Sequence, residues 1–413
     1  MKAVFLCAGA GKRMGALTDS RNKCMLPVAN KPLIEWNLSN LYDLGIKDFT
    51  FVVGYQKEEI LNYFKDGSDW KVNIEYLNQK ELNGTGNALK TLENVIEDEN
   101  FIALNGDILF NKSDFTQIIN CKNSIGTYIV ENPKPYGSIE LKDKKIIRIN
   151  EKSENPSSNL INSGIYHFDR DIFESLSKIK KSSRGEYELT DAINLLATEK
   201  EVNSITLKDW QEISYPWDLL DANKKILNEL REHYSLNKEE FIVGKNTEIL
   251  PGTFIESSVI IGDNCKIGPN CYIRGSTAIG DNCHVGNASE IKNSIIMNNT
   301  NIPHHNYIGD SIIGKNCNLG SGTKIANLKL NNKNVQFTYN DSKSLGGKKI
   351  DSGRRKLGAI IGDNVKTGVN ANIMPGKNIS SNSYIGAGVT VFQNLNKNQI
   401  ISLVNPSSVV KNK

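Results

Sequence analysis

The sequence predicts two domains of different fold, an α/β domain with a mostly parallel sheet over residues 1–236 and a left-handed parallel β-helix over residues 241–413. Two observations lead to this prediction. Short apolar runs alternate with amphipathic stretches in the first half, and from residue 243 an aliphatic residue recurs at every sixth position. The length of 413 residues agrees, because it exceeds one ordinary domain and suits two.

The composition excludes several classes of protein. Hydrophobic residues make up 38% and charged residues 23%, with a mean hydropathy of −0.39, which is typical of a soluble globular chain. A net charge of only +4 argues against a nucleic-acid-binding protein, and no apolar stretch approaches the roughly 18 residues of a membrane span. The seven cysteines are odd in number and form no C-x-x-C pair. They predict reduced thiols in a cytoplasmic protein.

The elements of the first half follow one another as strand and helix. The run AVFLCA (3–8) predicts a first buried strand rather than a signal peptide, because it is short and glycines follow at once. The later elements are a helix at 32–45, a strand at 49–54, a helix at 58–64, a strand at 101–107, a closing helix at 217–234 and a polar linker at 235–240. This alternation predicts a sheet covered on both faces, with ligands at the carboxyl ends of its strands.

The second half is built on a six-residue repeat. Its aliphatic series runs from 243 to 325 with two one-residue slips, then from 361 to 391 with Thr367 as the exception. Three hexads make one coil of a parallel β-helix, so residues 18 apart are expected to stack. Glycines and asparagines beside each aliphatic position suit tight corners, which need positive φ. The three cysteines that share one repeat phase are interpreted as small core residues rather than metal ligands: Cys265, Cys271 and Cys283.

A glycine-rich turn, LCAGAGKRM (6–14), follows the first strand, with Arg13 and Lys23 nearby. Backbone N–H groups in such a turn cradle an anion, and the cations add charge. A dinucleotide-binding turn is disfavoured because Gly15 comes one place late for G-x-G-x-x-G, and a Walker A loop because Leu6 stands where its first glycine is needed. A plain structural turn would not require the cations. The motif therefore predicts a phosphate site.

From this motif onward the first half resembles the sugar-1-phosphate nucleotidyltransferases. The resemblance rests on LCAGAGKRM and KCMLPVANKPLIEW (23–36), and on six later segments: QKELNGTGNAL (79–89), LNGD (104–107), YGSIE (136–140), EKSENP (151–156), INSGIY (161–166) and YPWDLLDAN (215–223). It implies a Rossmann-like α/β nucleotidyltransferase domain that joins a nucleotide to a sugar phosphate and releases pyrophosphate. Lys12 is a departure, because relatives often carry a small hydroxyl residue there.

The resemblance also implies site residues. The nucleotide would be bound by Leu6, Gly9, Gly11, Gln79, Gly84 and Thr85, and the Gln79 amide would favour a pyrimidine base. Arg13 and Lys23 would be catalytic and hold the triphosphate, while Asp107 and Asp218 would hold Mg²⁺. The sugar phosphate would lie against Gly137, Glu151, Lys152 and Asn162. Outside this family context, Asp107 or Asp218 would more often be a cap or a solvated carboxylate.

The second half carries a polar cluster that a simple spacer would not need. Arg274 and Lys292 are 18 residues apart and should stack as a phosphate clamp. The segments PHHNYIGD (303–310) and SGRRKLG (352–358) follow. This cluster resembles the acetyltransferase half of the bifunctional UDP-N-acetylglucosamine pyrophosphorylase and glucosamine-1-phosphate acetyltransferase family, in its archaeal version.

By this resemblance His304 is the general base, with Glu290 nearby to orient it. An ammonium group must lose a proton before it attacks, so N-acetylation needs a base that works near neutral pH. The sugar phosphate would be bound by Arg274, Lys292, Tyr307, Asn318, Asn327 and Lys333. Acetyl-CoA would lie between coils of adjacent subunits of a homotrimer.

These inferences together predict a cytoplasmic, Mg²⁺-dependent bifunctional enzyme. It would acetylate glucosamine-1-phosphate with acetyl-CoA and join the product to UTP or dTTP, with small molecules rather than nucleic acid or membrane as its partners. One alternative is a uridylyl- or thymidylyltransferase for glucose-1-phosphate whose β-helix is only a structural platform. Another is a non-catalytic subunit that binds nucleotide sugars, against which the intact set of Arg13, Lys23, Asp107 and Asp218 argues.

Overall fold

The computed structural model describes residues 1–81, 83–237, 240–340 and 347–403. The chain packs into two compact units. The first consists of Met1–Ala10, Asn22–Met25 and Pro32–Glu212, and the second of Gly11–Arg21, Leu26–Lys31 and Ile213–Lys413. The domain boundaries at 236 and 241 are based on the change of sequence pattern and stay a prediction. The two compact units do not test them, because the second unit also contains two short N-terminal segments.

The first unit is built on a nine-stranded mixed sheet. Its strands, in spatial order, are Asn73–Asn78, Asp48–Val53, Lys2–Cys7, Asn100–Asn105, Leu160–Asp169, Ser124–Ile129, Asn203–Thr206, Lys145–Glu151 and Gly137–Lys142. The first four pair in parallel, as the βα alternation predicts. The remaining part is largely antiparallel, because Leu160–Asp169 runs against both of its main neighbours.

Helices and short elements complete the first unit. The helices are Leu33–Asp43, Lys57–Phe64, Thr85–Lys90, Lys112–Ile119, Asp171–Lys178 and Leu189–Glu199, and the short strands are Ile108–Phe110 and Trp210–Glu212. Neighbouring residues of the strand Lys2–Cys7 point to opposite faces, so Val4 and Phe5 belong to two different apolar clusters. The sheet is therefore covered on both sides, as expected.

The second unit contains the predicted β-helix, formed by three parallel sheets. One sheet has Ile242–Val243, Val259–Ile261, Thr277–Ile279, Ile295–Ile296, Ile312–Ile313, Ile360–Ile361 and Asn378–Ile379. The second has Glu248–Ile249, Lys266–Ile267, His284–Val285, Asn301–Ile302, Asn318–Leu319, Lys366–Thr367, Tyr384–Ile385 and Ile400–Ile401. The third has Phe254–Ile255, Tyr272–Ile273, Glu290–Lys292, Tyr307–Gly309, Lys324–Ile325, Asn372–Ile373 and Thr390–Val391.

The register between coils confirms the six-residue repeat. Ile261 pairs with Ile279, 18 residues away, and after the slip Ile279 pairs with Ile296. Thr367, the exception in the aliphatic series, is buried and its hydroxyl lies 2.7 Å from that of Thr323, so its polar atom has a partner. The cysteines of the repeats are buried in the same core, as their phase predicts: Cys265, Cys271, Cys283 and Cys317.

Three further features belong to the second unit. Between the coils at Ile325 and Ile361 the chain forms an antiparallel pair, Gln336–Tyr339 with Lys348–Asp351. A long helix, Pro216–His233, begins with proline at its first position. The glycine-rich turn continues into a 3₁₀ segment, Lys12–Thr18. Among the described residues, none of the helices combines the length and apolarity that a bilayer span needs.

Candidate functional site

A lysine–aspartate pair lies at the carboxyl ends of the parallel strands in the first unit. The Gly106 N–H donates to the carbonyl of Leu6 at 3.0 Å, which ties together the ends of the two neighbouring strands. Asp107 follows directly, and its Oδ2 lies 2.6 Å from Nζ of Lys23. The Lys23 side chain is 8% exposed and that of Asp107 is 28% exposed. A partly desolvated cation thus stands beside a carboxylate that solvent and ligands can reach.

The predicted base-reading residues are held by backbone contacts. The Gln79 amide is buried and donates to the carbonyl groups of Glu81 at 2.9 Å and Gly84 at 3.2 Å. Gly84 has φ 119°, and a Cβ there would lie 2.3 Å from the Tyr187 carbonyl oxygen, so only glycine fits. The hydroxyl of Thr85 accepts from the Leu189 N–H at 3.4 Å. Sequence reasoning selected these positions, and the structure brings them into one turn.

The predicted sugar residues meet at the ends of three adjacent strands. Gly137 is the register partner of Glu151, and Ile161, next to Asn162, pairs with Ser138, next to Gly137. A Cβ on Gly137 would lie 2.9 Å from the Glu151 carboxylate, so glycine leaves room for that side chain. Asn162 donates to the Tyr166 hydroxyl at 2.9 Å. The structure therefore gathers Gly137, Glu151 and Asn162 at one place.

Burial raises the pKa of Glu151, and the nearby cations Lys152 and Arg184 oppose this effect. Lys152 Nζ lies 3.7 Å and Arg184 3.6 Å from its carboxylate. Arg184 also pairs with buried Glu188 at 2.7 Å. Sequence reasoning missed both Arg184 and Glu188. The run RGEYE (184–188) offered a charge pattern but no indication that it folds against Glu151.

The remaining nucleotide-site residues differ in location. In the first unit Leu6 lies on the first strand and Gly9 follows two residues after the strand ends, whereas Gly11 and Arg13 lie in the second unit. Gly11 has φ 60°, the left-handed conformation that favours glycine. The Arg13 guanidinium is exposed and lies 5.2 Å from the ring centre of Tyr215. A cation at the start of a glycine-rich turn is thus supported on an aromatic face.

Asp218 caps the long helix of the second unit. Its Oδ2 accepts from the backbone N–H groups of Ser214 at 2.8 Å and Tyr215 at 2.7 Å, in a capping box. No cluster of three or more histidine, cysteine, aspartate or glutamate side chains with metal-binding spacing occurs in the described part of the chain. Mg²⁺ commonly takes one or two carboxylates together with substrate phosphates. The partly exposed Asp107 fits that donor set, and Asp218 would have to share its carboxylate with the cap.

A second polar cluster lies on the third sheet of the β-helix. Arg274 donates to Oε1 of Glu290 at 3.1 Å, and Lys292 Nζ lies 3.9 Å from Oδ2 of Asp310. The amide of Asn327 contacts the Asp310 carboxylate and the Tyr307 hydroxyl. Five of the predicted residues are therefore neighbours on one face: Arg274, Glu290, Lys292, Tyr307 and Asn327.

Three predicted residues lie elsewhere on the β-helix. His304 is exposed at the corner between the second and third sheets, where its carbonyl accepts from the Gly322 N–H at 3.0 Å. Burial, Lys266 and His304 lower the pKa of His284, so His284 neighbours His304. Asn318 is exposed on the second sheet, and Lys333 is exposed in the segment between the coils. One chain thus does not gather these side chains around Glu290.

Sequence reasoning also missed acidic partners of the two cations. Glu256 accepts from the Gly275 N–H at 2.8 Å and from the Tyr272 hydroxyl, and lies 3.8 Å from Arg274. The Asp310 side chain is only 8% exposed. The 18-residue stacking rule could have found Glu256, because it precedes Arg274 by exactly one coil in the unbroken repeat. Asp310 lies beyond the first one-residue slip, where stacked residues are no longer 18 positions apart.

Family models match both halves of the chain. Residues 2–229 match the model described as Nucleotidyl transferase. Residues 255–367 match the GMPPB C-terminal domain, and residues 358–393 match the Hexapeptide repeat of succinyl-transferase. A Bacillus anthracis crystal structure titled as a glucose-1-phosphate thymidylyltransferase in complex with a sucrose has a TM-score of 0.50 and 26% identity, and the match covers 54% of this chain and 94% of that one.

Similarity to curated proteins runs through both halves. The chain is 41% identical over 410 residues to the Bifunctional protein GlmU of Methanocaldococcus jannaschii, and the match covers 97% of each chain. The protein of the same description from Methanococcus aeolicus is 42% identical over 412 residues, again 97% of each. The Bifunctional sugar-1-phosphate nucleotidylyltransferase/acetyltransferase of Sulfurisphaera tokodaii is 39% identical over 404 residues, which is 95% of this chain and 97% of that protein.

Proposed function

Since the chain belongs to the family of archaeal bifunctional GlmU proteins, we propose that it catalyses two consecutive steps of UDP-N-acetylglucosamine synthesis. The β-helix half acetylates glucosamine-1-phosphate with acetyl-CoA, and the α/β half joins the product to UTP and releases pyrophosphate. The observation that carries this proposal is similarity over 97% of the chain, which includes both candidate sites.

In nucleotidyl transfer the protein must bring together two polyanions. Arg13 and Lys23 neutralise the triphosphate, and Gln79 with Gly84 holds the base. Asp107 and Asp218 would hold Mg²⁺, which would supply positive charge to offset that of the phosphates. Gly137, Glu151, Lys152 and Asn162 orient the sugar phosphate for in-line approach to the α-phosphorus. The attacking phosphate oxygen is already ionised near pH 7, because its second pKa is about 6, so no general base is required.

Acetyl transfer needs a base, because the amino group of the sugar is protonated near neutral pH. His304 accepts one proton from the ammonium, and the freed nitrogen attacks the acetyl carbonyl of acetyl-CoA. As this adduct collapses, the C–S bond breaks, and the CoA thiolate leaves and takes up the second proton that the nitrogen gives up on becoming an amide. Arg274 and Lys292 hold the sugar phosphate, with Glu256 and Asp310 fixing the two cations. His304, Asn318 and Lys333 lie apart from this face in one chain. This separation supports a homotrimer in which adjacent subunits complete the pocket. The enzyme would act in the cytoplasm, where acetyl-CoA and UTP are available.

Two assays on the full-length protein test the proposal. One measures CoA release from acetyl-CoA with glucosamine-1-phosphate, and the other measures pyrophosphate release with UTP, dTTP, ATP and GTP. Absence of CoA release would leave a single-function nucleotidyltransferase with a structural β-helix. Absence of both would favour a non-catalytic nucleotide-sugar-binding subunit.

Point variants test the division of labour. His304→Ala should abolish CoA release and spare pyrophosphate release, because the base acts in acetyl transfer only. His305→Ala is the matched control, since it is the neighbouring exposed histidine and should retain both activities. Asp107→Ala should abolish pyrophosphate release and spare CoA release. If either His304→Ala or Asp107→Ala lost both activities together, the assignment of residues to steps would be wrong.

A further inference from the structure

The loop that carries Arg13 is fastened to the last coils of the β-helix within the second unit. Arg21, at the end of this loop, donates through one guanidinium nitrogen to both carboxylate oxygens of Asp363 at 2.7 Å. The arginine is 2% exposed and the aspartate 9%. Nη1 of Arg21 contacts the sulfur of Met297. A buried ion pair thus joins residue 21 of the chain to residue 363.

Further hydrogen bonds fix the rest of the loop. Oδ1 of buried Asn378 accepts from the Ala16 N–H at 2.8 Å. Asp19 accepts from the Ser381 N–H at 2.9 Å, and Ser20 donates to Asp363 at 2.6 Å. The loop is therefore held between Ala16 and Arg21 by side chains and backbone of two adjacent coils.

The fit is tight at Gly15. Its φ is 60°, and a Cβ there would lie 2.6 Å from Oδ1 of Asn378 and 2.9 Å from the ring of Phe337. Phe337 lies on the strand Gln336–Tyr339 of the segment inserted between coils, and its ring meets that of Trp217 edge-on at 5.8 Å. Trp217 stacks on Tyr215 at 4.8 Å, and Tyr215 supports Arg13. A continuous aromatic contact therefore links the inserted segment to the Arg13 guanidinium.

Asp363 does more than its equivalent in another coil. Asp281 occupies the same corner and accepts from the Asp263 N–H at 2.9 Å, just as Asp363 accepts from the Lys315 N–H at 2.8 Å. The two hydrogen bonds that the structure describes for the Asp281 carboxylate both join neighbouring coils, whereas the Asp363 carboxylate also binds Arg21 and Ser20. The corner role is thus common to both residues, and the loop contact distinguishes Asp363.

We propose that Asp363 and Asn378 of the β-helix are positioning residues for nucleotidyl transfer, because they fix the loop that presents Arg13 to the triphosphate. This inference rests on the proposed function of the first half. If the loop is already ordered before the nucleotide binds, binding does not have to supply the entropy cost of ordering it. The ordered loop also keeps the Arg13 cation aligned in the transition state. The β-helix would then serve both reactions, one through its own site and one through this loop.

Full-length variants with matched controls test the inference. Asp363→Asn and Asn378→Leu should lower kcat/KM for UTP in pyrophosphate release at least tenfold and leave CoA release within twofold of wild type. Asn378→Asp keeps an oxygen acceptor for the Ala16 N–H and should therefore retain most of the pyrophosphate release that Asn378→Leu loses. Asp281→Asn removes the same carboxylate from an equivalent corner and should leave both activities unchanged. Hydrogen–deuterium exchange of residues 11–21 should be at least tenfold faster in Asp363→Asn and Asn378→Leu only.

The outcomes separate this inference from the proposed function. Unchanged loop exchange, or pyrophosphate release within twofold of wild type in both variants, would overturn the positioning role. An equal loss of both activities would also overturn it, because it would indicate general destabilisation. A wild-type protein that releases no pyrophosphate with any nucleotide would refute the proposed function instead, and the exchange measurement would still decide whether the β-helix holds the loop.

Discussion

At the residue scale, the partners of a side chain decide its chemistry, and those partners are often distant in sequence. Lys23 and Asp107 are 84 residues apart and form a 2.6 Å pair. Both were predicted, because each stands in a recognisable motif. Arg184, Glu256 and Asp310 were not predicted, since their significance comes from the folded neighbours Glu151, Arg274 and Lys292. Sequence motifs therefore identify residues within recognisable segments more readily than the residues that pair with them in the folded chain.

Glu151 gives a prediction for substrate binding. Burial raises its pKa, so it takes up a proton at a higher pH than an ordinary glutamate does. In the proposed sugar site this carboxylate would accept hydrogen bonds from sugar hydroxyls, and the protonated group would accept them less well. We therefore expect the KM for the sugar phosphate in pyrophosphate release to rise as pH falls from about 8 towards about 5.

The control removes a second titration. The sugar phosphate itself has a pKa of about 6, so its own protonation also weakens binding at low pH. Glu151→Gln keeps that titration and loses the carboxylate, so its KM should vary less with pH than that of the wild type. Identical pH profiles for the two proteins would contradict a role of the Glu151 carboxylate in sugar binding.

At the scale of elements, the apolar pattern predicted the strands of the β-helix and their register. For the first unit it predicted most of the parallel part of the sheet but not the antiparallel part. A period of six specifies one strand per hexad, and the register of Ile261, Ile279 and Ile296 follows it through the slip. The βα alternation predicted three of the four parallel strands and missed Asn73–Asn78. It could not predict the antiparallel part, because strand direction there depends on pairing around Leu160–Asp169 and not on local composition.

One strand–helix contact in the first unit makes stability depend on pH. His167 lies buried on the strand Leu160–Asp169, with Nδ1 3.0 Å from the Ile118 carbonyl and Nε2 3.1 Å from the Asn100 side chain. Burial lowers its pKa in the folded protein. The unfolded chain takes up this proton near pH 6.5. The contribution to stability is therefore complete above about pH 6.5 and is lost as pH falls towards the lower folded pKa.

Urea unfolding measures this effect. The free energy of unfolding of the wild type should be lower at about pH 5.5 than at about pH 7.5, because the unfolded state binds the extra proton. His167→Gln cannot titrate and should show a smaller difference between the two conditions. If the variant lost as much stability on acidification as the wild type, His167 would not be the source of the dependence.

At the scale of the whole molecule, the sequence predicted the order of two folds but not the membership of the second unit. The change of period placed the boundary near 236, whereas the second unit also takes in Gly11–Arg21 and the helix Pro216–His233. The contacts responsible are long-range: Arg21 with Asp363, and Ala16 with Asn378. The local sequence does not indicate that Arg21 and Asp363 pair, because Asp363 stands in an IGDN corner like those of other coils and Arg21 stands in a polar loop.

This membership predicts how the enzyme fails on heating. If the loop 11–21 keeps its conformation only while the last coils are folded, pyrophosphate release should be lost at the same temperature as CoA release. Ile361 is fully buried on the strand directly before Asp363, and it pairs with Ile313 and Ile379. Ile361→Ala should destabilise the β-helix by about 2–5 kcal/mol through the cavity it leaves. Residual activity after brief heating should show both inactivation curves shifted to lower temperature by the same amount. A variant that lost CoA release early and kept pyrophosphate release to the wild-type temperature would show that nucleotidyl transfer does not depend on the folded β-helix.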